Sequence, residues 1–267
     1  MTINETETSQ NRTSVVAIFK DWKKYIFEFL MLFLAVYLGF VAENIREDFA
    51  ERQYTQELVR SFYEELRNDS VAVAARVEGR LKKERAIEYM VNFFRDSSLT
   101  VSSKPLAVNF VWALAARSPI IFTPRTIVLE QIKSTGALRY FKSEELRKLI
   151  GDLSVAIDYI LVRQEYESSI FYTYIEPVMT THMDFSFQFK LFQGESIFER
   201  LAEYESSAEY IPFQLSQPEK VDRLKIMNVL SYYHTNGLKS TRLIPFKNYI
   251  EVNAGVLRQL RKAYDLK

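Results

Sequence analysis

One stretch of the chain limits everything else it can fold into. From Tyr25 to Ala42 it reads YIFEFLMLFLAVYLGFVA, 18 residues with a single charge, Glu28. A helix of that length rises roughly 27 Å, close to the hydrocarbon thickness of a bilayer. The uncharged part alone, Phe29 to Ala42, is 14 residues, a length that also suits a buried helix of a soluble protein. Three features favour a membrane span. No polar stripe recurs at helical spacing, so the run has no face for water. Trp22, Tyr25 and Tyr37 are aromatics of the type that settles at a membrane interface. Lys20, Lys23 and Lys24 precede the run and can extend their ammonium groups toward the headgroups. A cleaved signal peptide would need small residues after the run, and VAENIRED follows instead. The expectation is a retained transmembrane helix over 25–44, with the lipid bilayer as the first partner.

Lys and Arg near the two ends set the expected orientation. Arg12, Lys20, Lys23 and Lys24 lie before the span, and Arg46, Arg52 and Arg60 after it. This bias points to a short cytoplasmic tail, 1–24, an inner-membrane location, and a bulk that is periplasmic. Within the span, Glu28 stands four residues after Lys24, the spacing of a helical ion pair at the headgroup level. The alternative role is a membrane carboxylate that faces a partner helix and carries protons or meets a cation. Ala35 and Gly39 form a small-xxx-small pair that would let two helices approach closely.

Past the span, charges of both signs alternate, and then apolar residues return at spacings of three and four. Leu58/Val59, Phe62/Tyr63, Leu66, Val73, Val77, Leu81, Ile87, Met90 and Phe94 mark one face. No Pro occurs before Pro105. These features predict a stalk helix over 45–96, continuous with the span, and then a helical extracytoplasmic domain over 97–267. Gly 7 and Pro 7 in 267 residues are few breakers and favour long helices, so the fold class is all-α. Within the domain, Pro105 opens an apolar helix. Thr123 and Pro124 are placed to start another, which Gly136 stops. Ser143 caps a long helix with Glu144 and Glu145 in its first turn, and Pro177 bends or ends it. DFSFQFKLF, Asp184 to Phe192, alternates with period two and suggests a short strand, an extended arm that pairs with another subunit, or an irregular segment packed on the bundle. Three helices follow, over Ser196–Ser207, Gln217–Asn236 (stopped by Gly237) and Phe246–Leu266. The leader MTINETETSQNR is polar and expected to be disordered.

Chemistry is hard to find. Lys+Arg 35 against Asp+Glu 34 leaves a net charge of +1, with no basic excess for nucleic acid. The absence of Cys excludes disulfides, thiolate metal sites and a thiol nucleophile. Two histidines, His182 and His234, stand far apart, and no HExxH, Walker loop, GxGxxG or GxSxG occurs. No catalytic residue, metal site or cofactor is expected, and the chain reads as a non-enzyme.

The order of FEFLMLFLAVYLGFVAENIREDFAERQ, ELVRSFYEELRND and LEQIKSTGALRYFKSEELRKLIGDL resembles a large bacterial, Bacteroidetes-type family of single-pass inner-membrane proteins of unknown function. The likeness runs from the span to about Asp158. It implies an envelope location and a helical domain, and no chemistry. The span departs from the family pattern in carrying Glu28 and in being rich in Phe and Tyr. Gly136, in the Ser-Thr-Gly corner, is the expected structural turn. The expected function is assembly, as a homo-oligomer or with another membrane protein. The alternatives are a ligand-sensing module that signals through a partner and an ion-driven subunit that uses Glu28.

Overall fold

The computed structural model describes residues 7–192 and 196–266, with side chains from Trp22 onward. Among these residues every regular element is helical, and the fold is all-α. The chain divides into two compact units, residues 1–57 and 58–267. One helix, α1 (Glu7–Asp96), carries residues of both. The polar leader expected to be disordered lies outside the described residues as far as residue 6, and from Glu7 the backbone is helical.

In the first unit α1 contains a segment near the N-terminus that is long and apolar enough to cross a membrane, and none of it is buried. Phe27, Phe29, Leu32, Phe33 and Phe40 are all more than half exposed. Soluble domains rarely expose a contiguous apolar surface larger than a few hundred Å².

The second unit begins at Leu58, inside the stretch expected as the stalk helix over 45–96. Helix α1 runs unbroken to Asp96, and Leu58, Val59, Phe62, Tyr63, Leu66, Val73, Ile87, Met90 and Phe94 are core residues of the bundle. Around α1 are α2 (Lys104–Phe110), α3 (Ile127–Ser134), α4 (Glu144–Ile170), α5 (Glu176–His182), α6 (Phe185–Leu191), α7 (Ile197–Ser206), α8 (Arg223–Tyr232) and α9 (Lys247–Tyr264).

Several boundaries follow from named contacts. Ser143 accepts a hydrogen bond from the Leu146 amide and starts α4, as expected. Gly136 has φ 67°, a left-handed conformation that costs a Cβ-bearing residue strain, and it closes α3. The start of α3 differs from expectation. Residues 121–126 form no regular element, and the Gln164 side chain pairs with both the N–H and the C=O of Phe122, at 2.7 and 2.8 Å. Residue 123 is also pushed away from helical torsions by Pro124. The helix therefore begins at Ile127, after Thr126, which makes no side-chain cap. Glu65 of α1 caps it instead, accepting from the Val128 amide at 3.2 Å. Arg223 serves the other end of α1, donating to the Phe94 and Ser97 carbonyls at 2.7 and 2.8 Å. It occupies acceptors that a helix C-terminus leaves free.

The strand or arm expected at Asp184–Phe192 is the helix α6. Asp184 accepts from the Ser186 amide and caps it. Phe187 and Leu191, four apart, are buried, whereas Phe189 is 85% exposed. The period-two pattern therefore arises from a helix with exposed phenylalanines, and no ladder is involved. Gly237 stops nothing: α8 continues through a π-helical segment, Tyr233–Lys239, and a second one, Arg242–Phe246, into α9. Pro245 sits inside that second segment, where the widened turn tolerates its missing N–H. Helix α4 likewise continues through a π-helical segment, Phe171–Ile175, into α5, so Pro177 does not end it.

Two apolar clusters make the core. One joins residues 58–73 of α1, α3, α4 and α9. The other joins residues 86–94 of α1, α2, the start of α5, α6, α7 and α8.

Candidate functional site

Between the two clusters, each long helix contributes a polar turn. On α1 the residues are Arg80, Lys83 and Glu84, flanked by Val73 in one cluster and Ala86 in the other. On α4 they are Gln164 and Glu167, flanked by Ile160 and Ile170. On the α8–α9 run they are Thr241 and Arg242, flanked by Leu238 and Phe246. Arg117 enters from the connection between α2 and α3. The result is a layer of charge inside the bundle.

Arg80 has a fully buried side chain, and its Nη1 donates to Glu167 Oε2 at 2.8 Å. Its guanidinium carbon stands 4.3 Å from the centre of the Phe246 ring, in cation–π geometry. Lys83 is likewise fully buried and donates from Nζ to the Ala116 carbonyl at 2.6 Å. The rings of Tyr233 and Phe171 lie 5.3 and 5.5 Å from that ammonium. Burial pulls Lys83 down to about 7, against the pull of Glu167 and with the repulsion of Arg117 and Arg80. Arg117 donates to Ser168 Oγ at 3.0 Å, and its guanidinium carbon lies 4.4 Å from the Phe171 ring centre. Burial first, then the charge of Glu167, raises the Tyr233 hydroxyl well above its ordinary value. Glu84 and Arg242 form a bidentate pair, with both bonds at 2.7 Å.

A second polar cluster is built on acids. Asp69 accepts from the Arg125 amide at 2.8 Å, from its guanidinium at 2.9 Å and from the Tyr249 hydroxyl at 3.0 Å. Glu65, which caps α3, is raised by burial, against the lowering effect of the Val128 amide. These groups bond to the fold itself and tie three helices together.

The residues singled out in sequence are dispersed. Glu28 is exposed, and its Oε1 is 4.0 Å from Lys24 Nζ, the expected i, i+4 relation at its longest. Ala35 and Gly39 are exposed, and a Cβ on Gly39 would meet nothing within 4 Å. Gly136 is in its turn. His182 is buried, and its Nδ1 lies 3.1 Å from the Ser216 carbonyl, so it fastens the segment ahead of α8. It borders a groove of about 410 Å³ with Tyr174, Pro177, Lys220, Asp222 and Lys225. Among the described residues no three His, Asp or Glu side chains are grouped to hold a metal.

The sequence did carry a signal for the charged layer. Val73, Val77, Arg80, Glu84 and Ile87 follow spacings of four, three, four and three. Ile157, Ile160, Gln164, Glu167 and Phe171 follow three, four, three and four. In each, the polar residues fall in phase with the apolar stripe, which places them inside.

The chain matches no protein-family model, no curated protein and no solved structure.

Proposed function

We propose that this protein is a non-catalytic, membrane-anchored helical protein of a bacterial envelope that works by assembly, with copies of itself or with another membrane protein. The observation that carries the reading is the apolar segment of α1, none of which the chain buries. A bilayer covers such a surface at no cost in exposed backbone, because all its peptide groups bond within the helix. The excess of Lys and Arg before the span supports a cytoplasmic N-terminus and a periplasmic bulk. The resemblance to Bacteroidetes-type single-pass inner-membrane proteins agrees with that location. The open surface at Ala35 and Gly39 is where a second helix would pack.

The test is the mass of the protein in detergent, together with the same measurement on Gly39→Ile. The expected result is a defined oligomer or a stable complex, loosened by the branched side chain. A strict monomer that co-purifies with nothing would end the proposal. Topology is checked separately with a reporter fused at the carboxyl end, expected to be extracytoplasmic. A protein that stays in the aqueous fraction without detergent would refute the anchor.

A second reading has its own support. A layer with four cations, Arg80, Lys83, Arg117 and Arg242, against two acids, Glu84 and Glu167, suits a sensing module whose ligand is an anion, with the output passed to a partner.

A further inference from the structure

We infer that the charged layer inside the bundle is a binding site for a small monovalent anion of halide size, held by Arg80 and Arg117 with Lys83 beside them. The inference is independent of whether the protein assembles. It begins with charge. Glu167 is the acid bonded to Arg80, and Glu84 is already engaged in its bidentate pair with Arg242. Arg117 bonds to Ser168, the next residue on α4, and the Phe171 ring lies 4.4 Å from the Arg117 guanidinium carbon and 5.5 Å from the Lys83 ammonium, so the three cations belong to one locality. Uncompensated charge of one sign is costly in a low-dielectric interior.

The second observation concerns donors. Arg80 Nε and Nη2 and Arg117 Nη1 are buried, and no protein acceptor is within bonding reach of any of them. The Arg80 side chain is fully buried, so these N–H groups point into the layer and away from solvent. Buried donors of this kind are ordinarily satisfied. A water molecule could accept from them but would leave the charge excess in place. A monovalent anion answers both needs, since it carries the opposite charge and accepts several N–H bonds at once. The rings of Phe171, Tyr172 and Phe246 lie against these guanidinium groups and hold them in place without competing for their N–H groups.

Lys83 links the site to protons. It faces Arg80 on its own helix, Arg117 from the α2–α3 connection, Glu167 on α4 and Tyr233 on the α8–α9 run. An anion in this layer favours the ammonium form, so binding takes up a proton and strengthens as pH falls through about 7.

The experiment uses the full-length chain in detergent. Thermal unfolding is followed while sodium gluconate is replaced by sodium chloride at constant ionic strength, at pH 6 and at pH 8. The expected result is a saturable rise in Tm with chloride, reproduced by bromide and larger at pH 6. Arg117→Gln, on a partly exposed residue, is expected to weaken the apparent chloride affinity at least ten-fold, and Lys83→Met to remove its pH dependence. Identical melting in chloride and gluconate would overturn the proposal, as would an Arg117→Gln protein with an unchanged response. Crystals grown with bromide give a readout free of stability. Anomalous density between Arg80 and Arg117 supports the site, and ordered water alone there refutes it.

Discussion

Glu167 is the residue on which the buried charges depend most directly. Its carboxylate meets Arg80 at 2.8 Å and accepts the neighbourhood of Lys83 and Tyr233. Glu167→Gln would keep the shape and remove the carboxylate in contact with the fully buried Arg80 guanidinium. Breaking one side of a buried pair typically costs about 3–5 kcal/mol. The expected outcome is a loss of that order in chemical denaturation, against less than about 1 kcal/mol for the exposed Lys24–Glu28 pair. Lys83 makes a different prediction. Its folded value, about 7, lies below its ordinary 10.5. Between those values the unfolded chain binds more protons than the folded one, so its contribution to stability rises with pH across that window. Below pH 7 the penalty of the buried ammonium is fully present. Lys83→Met should therefore flatten the rise, seen as a shrinking difference between the variant and the parent from pH 7 to pH 10. If the two curves run parallel, the lysine is not titrating there.

At the scale of elements, local propensity accounts for some helix ends and distant side chains for others. Ser143 and Gly136 were legible because the cap and the left-handed turn depend on residues within the same few positions. The start of α3 was not, because its cap, Glu65, is 63 residues away. Glu65→Ala is expected to cost about 1–2 kcal/mol, the scale of a lost N-cap, whereas Thr126→Ala should change little. The measurement is the denaturation midpoint of each variant. The α6 segment misled for a related reason: period two is a reliable strand signal only where every second residue is buried, and here Phe185 and Phe189 are exposed. Gly79 offers a sharper test of packing between elements. A Cβ there would lie 2.4 Å from the Pro119 carbonyl oxygen, a backbone atom that cannot simply turn aside. Gly79→Ala should destabilise the bundle by about 1–3 kcal/mol, despite alanine's better helix propensity. Gly39→Ala, with open space around it, should leave the folded unit unchanged.

Across the whole molecule, the all-α class and the apolar segment were plain in the sequence, since both rest on composition and on runs within one helix. The division of the core into two clusters was not. It needs α1, α4 and the α8–α9 run laid side by side, so that Arg80, Glu167 and Thr241 fall at one level. A single helix with a charge in its stripe is ambiguous, and coincidence among three is visible only after folding. The unit boundary at Glu57 was not legible for the same reason, because a helix destined for a core and a helix destined for a stalk differ only in what packs against them.

The π-helical turns at Tyr233–Lys239 and Arg242–Phe246 have a consequence for how this chain can change. Each widened turn accommodates surplus backbone, so the helix reaches the cluster that holds α9 with a different side facing inward than a plain α-helix of the same sequence would present. Excising one residue there, such as Asn236, removes surplus and lets the backbone relax to ordinary winding, with Tyr249 and Val256 still facing the core. The same deletion inside α9, where no surplus exists, would swing everything downstream of it by about 100°. Single-residue deletions should accordingly be better tolerated in the widened turns than in α9.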